Sequence, residues 1–538
     1  MRKILLATLV AFGYAANAQY VFKEYNINNV GDSNPHSFIV MNGILYFVAT
    51  AGGEGTEIFY TNGVHPNLGI VSDIVPGSGS SNPENLTLLN GTKIIFSAND
   101  GTGKGEEVWQ SDGTSSGTTL LKDIYAGGVS STPANFVAYK GSVYFSAYGS
   151  GGGNQDMWVT NGTSTGTTLF KDLNPTGGSY PEKYREVNGK LFFTATTDLE
   201  GAEIWVSDGT DTGTRMLKDI QAGVIGSMPQ NKIALGNKLL FQVIGPPPTG
   251  GYIYETDGTP AGTKLFGKTG LNNINDRFNV YYNGKYYFAG GVTSADELMA
   301  SDGTAAGTQS LGNIGNSGSP AVFNNKIYFM ATEPVSGSEL WVSDGTVAGT
   351  KLLVDIAPGT AGSNPSNLMV YKNKLYFTAA INLNDTQLFV SDGTDTGTHL
   401  LTNPLATNSN PLGSNVFKGF TEMDGKLYFG ASYTNNGAEL WSLEDTTKPV
   451  GISNVATGQV INVYPNPAKA ICNIIIDNAA YQKGTIQLCD MKGSILQQQQ
   501  LSAGQKHATI QLSNIATGIY TIKIDMDGNI VNRKLVVQ

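Results

Sequence analysis

A chain of 538 residues is long enough for two or more domains with ample apolar cores, and its only cysteines are Cys472 and Cys489. Two are too few for a disulfide framework, and neither has the CxxC or Cys/His neighbourhood of a metal or redox site. The net charge of −10 argues against nucleic acid or an anionic lipid surface as the main partner.

With 68 glycines, 14% charged residues and frequent Tyr, Phe, Thr and Val, the composition predicts an all-β chain of short strands and tight turns. The N-terminus reads Arg2, Lys3, an apolar run over 4–14, then Ala16, Asn17 and Ala18. That is the order of a secretory signal peptide, expected to occupy 1–18 and to be cleaved after Ala18. Cleavage would leave 31 basic against 43 acidic residues. No later stretch is long enough to span a bilayer, so no transmembrane segment is expected in the mature chain.

From residue 19 to 445 one string recurs. ELWVSDGTVAGTKLLVDI (339–356) reappears as EVWQSDGTSSGTTLLKDI (107–124), EIWVSDGTDTGTRMLKDI (203–220) and MWVTNGTSTGTTLFKDL (157–173). Aligned on the residue before the turn glycine, the copies fall at Asn62, Asp112, Asn161, Asp208, Asp257, Asp302, Asp344 and Asp392, 42 to 50 residues apart. A ninth copy, 425–441, stops before its turn. Each unit reads as four strands, A to D, with Asn-Gly or Asp-Gly hairpins such as Asn42-Gly43, Asn188-Gly189, Asn283-Gly284 and Asp424-Gly425 between A and B. Strands apolar on both faces should be covered on both sides, as blades of a β-propeller are.

The first residues of the mature chain, YVFKEYNI (20–27), resemble strand D copies such as TTLFKDL (167–173). They are expected to complete the ninth unit, which would close the array and remove its two exposed edges. A polar stretch with Pro and Gly over 446–459 reads as a linker. Beyond it, apolar pairs at i, i+2 such as Ile474/Ile476, Ile486/Leu488, Ile510/Leu512 and Ile522/Ile524 predict a small C-terminal β-sandwich over 460–538.

Two family resemblances enter on these strings. The repeat Glu339-Leu340-Trp341-Val342-Ser343-Asp344-Gly345-Thr346 looks like the ELWxxDGT repeat family of bacterial secreted proteins, which implies a secreted repeat domain and no reaction. The tail resembles the type A sorting domain of the type IX secretion system through VYPNPA (463–468), the DMKG turn (490–493), ATGIY (516–520) and the terminal KLVV (534–537). The motif residues are Pro465, Asn466, Pro467, Gly493, Gly518, Tyr520 and Lys534; Ser494 departs from the basic residue often found after the turn glycine. The resemblance implies the type IX machinery as a partner and a destination in the medium or on the outer cell surface.

Candidate chemistry is sparse. The repeated Asp-Gly-Thr reads as a turn, since no unit carries the spaced acidic ligands of a calcium loop. A sialidase would need three converging arginines, but Arg185 and Arg215 fall on opposite edge strands of one unit and only Arg277 is left. Trp109, Trp158, Trp205, Trp341 and Trp441 share one strand C position with Phe59, Tyr254, Met299 and Phe389, the pattern of packing between units more than of a sugar platform. GTGKG (101–105) and DMDGN (525–529) read as hairpin turns. His36, His65, His399 and His507 have no triad or zinc spacing, and paired glycosidase carboxylates cannot be located among the loops.

No catalytic, cofactor-binding or metal-ligating residue is assigned. The expected function is a non-catalytic binding or adhesion module with an extracellular glycan or protein ligand. A polysaccharide-degrading propeller enzyme and a purely structural surface component are the rivals. The B–C and D–A connections share one face, which is the expected recognition face because its loops vary over a constant scaffold.

Overall fold

The computed structural model describes residues 20–446 and 461–538, apart from 30, 150–153, 245–250, 293–295, 316, 383–384, 414–415, 465–467, 477–481, 491–493 and 528. The expected leader with Ala18, the linker from 447 onward, and Pro465, Asn466, Pro467 and Gly493 lie outside the described residues. Two compact units divide after Thr446. The described residues are all strand, turn and coil, and no helix is long and apolar enough to cross a membrane.

In the first unit the described residues form nine four-stranded antiparallel sheets, each in the order A-B-C-D. The seventh is typical: Gly318–Phe323, Lys326–Glu333, Gly337–Ser343 and Lys351–Val354. Its A–B hairpin turns at Asn324 and Asn325, both at positive φ, which suits the right-handed twist of the strands on either side. Strand B is aromatic and β-branched, and its Ile327, Tyr328 and Phe329 are buried on both faces.

The ninth sheet is assembled from both ends of the unit. Thr421–Met423, Lys426–Ala431 and Glu439–Asp445 supply A, B and C, and Tyr20–Tyr25 supplies the fourth strand in unbroken register from Tyr20 opposite Asp445 to Tyr25 opposite Leu440. Strand A of one sheet lies beside strand A of the next from the first sheet through the eighth, and strand A of the ninth lies beside that of the first. Strands A are therefore the strands along which neighbouring sheets approach one another, called the inner strands below.

Apolar clusters join neighbouring sheets at every step. Trp109 of the second sheet packs on Met41, Tyr46 and Ile58 of the first, Trp341 of the seventh on Tyr287 and Leu298 of the sixth, and Trp441 of the ninth on Tyr376 and Leu388 of the eighth. Phe59 of the first sheet completes the series against Tyr428 and Leu440 of the ninth. The strand C aromatic positions are thus packing positions, with Trp441 fully buried.

The second unit is two sheets over one core. Ile461–Tyr464, Ile471–Ile476 and His507–Gln511 form one, and Ile495–Leu501, Gly484–Cys489, Gly518–Met526 and Asn529–Val537 the other. Ile474, Ile486, Leu488, Ile510, Ile522 and Leu535 meet between them. Cys472 and Cys489 are buried, unbridged thiols on different sheets.

Candidate functional site

The repeated polar residues must be accounted for before anything can be assigned to a ligand. The glutamate that opens each ELW string is fully buried in five sheets, as Glu57, Glu107, Glu203, Glu339 and Glu439. Glu339 accepts hydrogen bonds from the backbone N–H of Ile356 (3.0 Å), Ala357 (3.2 Å) and Ser363 (2.7 Å) and from the Ser363 hydroxyl (2.5 Å). Glu107 and Glu203 hold Ser131 and Ser227 in the same way, 24 residues downstream, and Asp156 takes the Ser179 hydroxyl at 2.8 Å. The D–A connections repeat a Ser-x-Pro sequence, as in Ser131-Thr132-Pro133 and Ser227-Met228-Pro229, and the clamp accounts for it: the serine is held by the preceding strand C, and the residue after it sits at positive φ, even as Thr132, Tyr180 or Met228. Burial raises the carboxyls of Glu57, Glu107, Glu203 and Asp156, and pushes Glu439 up to about 7. In the ninth sheet the clamp reaches the start of the chain, with Ile27 N–H at 2.8 Å and Asn28 N–H at 3.3 Å from Glu439. No substrate can reach these carboxylates.

The Asp-Gly-Thr strings are C–D turns that satisfy themselves. Asp112 Oδ1 accepts from Thr114 N–H at 2.9 Å and from its hydroxyl at 2.7 Å, and Ser111 and Thr118 close the base at 2.8 Å. Those hydroxyl bonds hold Asp112, Asp208, Asp302 and Asp344 below the usual carboxylate range. The turn glycine is also a contact point between sheets. Gly393 sits at φ +93, and a Cβ there would lie 2.5 Å from the Tyr328 hydroxyl of the sheet before, which itself donates to Gly393 O at 3.2 Å. Gly393→Ala should lower stability by about 2–4 kcal/mol, measured by urea unfolding, through strained φ and displacement of Tyr328. Asp392→Ala, which loses only exposed turn bonds, should cost about 1 kcal/mol.

What varies lies on the inner strands. Each of the first eight strands A shifts register, and in the first, second, third, fifth and eighth the shift holds a Ser or Asn at positive φ, as Ser37, Asn85, Asn135, Asn231 and Asn367. The amides serve the scaffold, as when Asn85 and Asn135 donate to Pro133 O and Pro181 O of the following sheets. The fourth sheet departs at the bulge itself and the fifth at the residue after it. Glu182–Val187 places Lys183 at the bulge and Arg185 two residues on, and Pro229–Leu235 places Lys232 where the second, third and eighth sheets have Leu86, Phe136 and Leu368.

A hollow of about 170 Å³ lies there, lined by Lys183, Tyr184, Arg185, Asn231, Lys232 and Asp276. Lys232 is 5% exposed; its ammonium donates to the Thr194 hydroxyl at 2.7 Å and to Pro229 O at 3.4 Å. A second hollow, of about 440 Å³, is lined by His36, Ser37, Phe38, Glu84, Asn85 and Leu86. Burial lowers the His36 imidazole.

Arg185 and Arg215 occupy the two edge strands of the fourth sheet, as expected, while Arg277 stands on the inner strand of the sixth. GTGKG forms the B–C turn of the second sheet, where Lys104 pairs with Asp100 at 3.2 Å. His399 lies on strand D of the eighth sheet, and His65 contacts Glu24 O at 2.7 Å.

In the second unit three tail motifs meet on one strand. Gly518 pairs with Val537, Tyr520 with Leu535 and Thr521 with Lys534, and the Tyr520 hydroxyl donates to Ala516 O at 2.7 Å. Ala468, the last residue of VYPNPA, is buried against that strand: its N–H donates to Val536 O, and its carbonyl accepts from Gln538 N–H, both at 2.8 Å.

Residues 462–538 match the secretion system C-terminal sorting domain, Por_Secre_tail. Such a tail marks proteins secreted through the type IX system to the cell surface or the extracellular space, and it implies interaction with that machinery. No curated protein matches the chain. Among solved structures, the extracellular domain of a one-component system from B. thetaiotaomicron is similar at 10% identity and TM-score 0.30, over 94% of this chain and 80% of that one. A puromycin-hydrolysing peptidase of Mycobacterium tuberculosis aligns at 11% and 0.37, over 74% and 57%. A prolyl endopeptidase aligns at 10% and 0.34, over 66% and 56%, so this chain spans little more than half of either peptidase. No part of the functional reading rests on these three.

Proposed function

We propose that this exported chain is an ELWxxDGT-repeat β-propeller of nine blades, carried out of the cell by its tail, and that it is a non-catalytic binding protein. Its ligand, an extracellular glycan or protein, meets the inner strands at the end where the Ser-x-Pro connections and B–C turns lie. The observation that carries this is the division of labour among polar residues. Those that repeat are used by the clamps and turns, and the departures gather on the inner strands of the fourth and fifth sheets. The apolar contacts running from the ninth sheet back to the first support the propeller reading.

The test is to screen the mature chain from residue 19 against glycans and extracellular proteins, with product analysis. Saturable binding without turnover is expected; shortened glycans would make it an enzyme, and silence across both panels would leave a structural component. Within the tail we assign sorting to Pro465, Asn466, Pro467, Gly493, Gly518, Tyr520 and Lys534, with the leader 1–18 cleaved after Ala18. Deleting 534–538 removes buried Leu535 and Val537 and should trap the protein in the cell envelope. Lys534→Ala, at an exposed position of the same strand, separates recognition from folding. If both variants reached the medium at the normal level, the assignment would fail.

A further inference from the structure

We infer that the hollow where the inner strands of the fourth, fifth and sixth sheets meet is a subsite for the carboxylate of a uronate-containing glycan. This rests on the binding reading above and names the ligand class. Three cationic side chains, Lys183, Arg185 and Lys232, line the hollow against one carboxylate, Asp276, in a chain whose net charge is −10. Lys183 is engaged by Glu182 at 3.0 Å, but Arg185 and Lys232 have no ion pair among the described residues. Lys232 is the unusual one: a lysine 5% exposed, in a position that other sheets fill with Leu or Phe, with only two neutral oxygens on its ammonium. A buried ammonium with no carboxylate in hydrogen-bond contact is costly, and an arriving anion would supply that contact.

The size favours part of a sugar over a bare ion. A volume of about 170 Å³ is the room of roughly five or six waters, enough for a carboxylate with the ring atoms that bear it. Asp276 supplies an acceptor for a ring hydroxyl, while the Asn231 amide is engaged by Gln242 Oε1 at 2.8 Å. The charged groups facing Lys232 are Lys183, which opposes its protonation, and Glu182 and Asp276, which favour it; with burial foremost, its amine falls to about 7. An anion seated beside it favours the ammonium, so binding at pH 7.5 should take up protons from the buffer.

The experiment is calorimetric titration of the full mature chain with oligogalacturonate, neutral cello-oligosaccharide and poly-glutamate, in two buffers of different ionisation enthalpy. Oligogalacturonate should bind with proton uptake and neutral oligosaccharide at least tenfold more weakly. Lys232→Met, which fills the same slot, should lose at least tenfold in affinity and all of the proton uptake while melting no lower than wild type. Equal binding of neutral and acidic glycans, or unchanged affinity and proton uptake in Lys232→Met, would overturn the subsite and leave the glycan-binding reading standing. Preference for poly-glutamate would replace the ligand class with an acidic peptide. No binding of any probe by the folded chain would overturn the subsite, and a ligand then found at this mouth in the wider screen would spare the binding reading.

Discussion

A mature chain that begins at residue 29 should lose its cooperative thermal transition, or melt more than 10 °C below the intact protein. The missing segment is the outer strand of the ninth sheet, six residues in continuous register with Glu439–Asp445. Phe22 and Tyr25 are 6% and 2% exposed and belong to the clusters on either side of that sheet, so their loss opens both. Truncating one large buried aromatic costs about 3–5 kcal/mol. Glu439 would also lose the donors at Ile27 and Asn28, at about 1–3 kcal/mol for a buried acceptor left unmet. The total approaches the whole stability of an ordinary domain, about 5–15 kcal/mol. Scanning calorimetry and size-exclusion chromatography measure it, and a peptide of residues 19–28 added in trans should restore part of the transition. A truncated chain that melted within a few degrees of the intact one would show the first strand to be dispensable.

Acidification should stabilise the protein before it destabilises it. Glu439 has a folded pKa of about 7 against an ordinary 4.5, so between these values the folded state binds more protons than the unfolded one. Stability is therefore greatest on the acid side of that window and falls as pH rises through 7, by up to about 3 kcal/mol from this group. Glu57, Glu107, Glu203 and Asp156, raised by burial, act in the same sense. The turn aspartates act in the opposite sense. Asp112, Asp208, Asp302 and Asp344 are held low by their Thr hydroxyls, so their contribution is present above the usual carboxylate range and lost as pH falls through their lowered values. Urea midpoints taken from pH 4 to 8 should pass through a maximum near pH 5. Glu439→Gln keeps an acceptor for Ile27 and removes the buried charge, and it should flatten the alkaline limb. A wild-type midpoint that rose steadily from pH 5 to 8 would contradict the argument.

The repeat made much of this fold legible from the residues alone. Nine units, the Asn-Gly hairpins and the fit of YVFKEYNI into the last unit follow from local pattern, because hairpin chemistry and apolar alternation act between residues close in sequence. The clamp did not show itself. Glu339 and Ser363 stand 24 residues apart with a turn, a strand and a connection between them, so each looks like ordinary composition until strand C is seen beneath the connection. Lys232 was hidden for another reason: a register shift in its strand decides which residues face the neighbouring sheet, and periodicity does not reveal a bulge. In the tail the motif order was visible. The meeting of Ala468 with the final strand depends on long-range pairing that order does not encode.

Tyr20 and Asp445 stand opposite each other on adjacent strands. The chain therefore enters and leaves the first unit at a single corner, at the end where strand C runs towards its turn, and the inner bulges open at the other end. The cationic hollow of the first unit lies at the end with the bulges. Nor can the ninth sheet form until residue 445 has been made, so the first strand must wait through the synthesis of eight sheets before its partner exists.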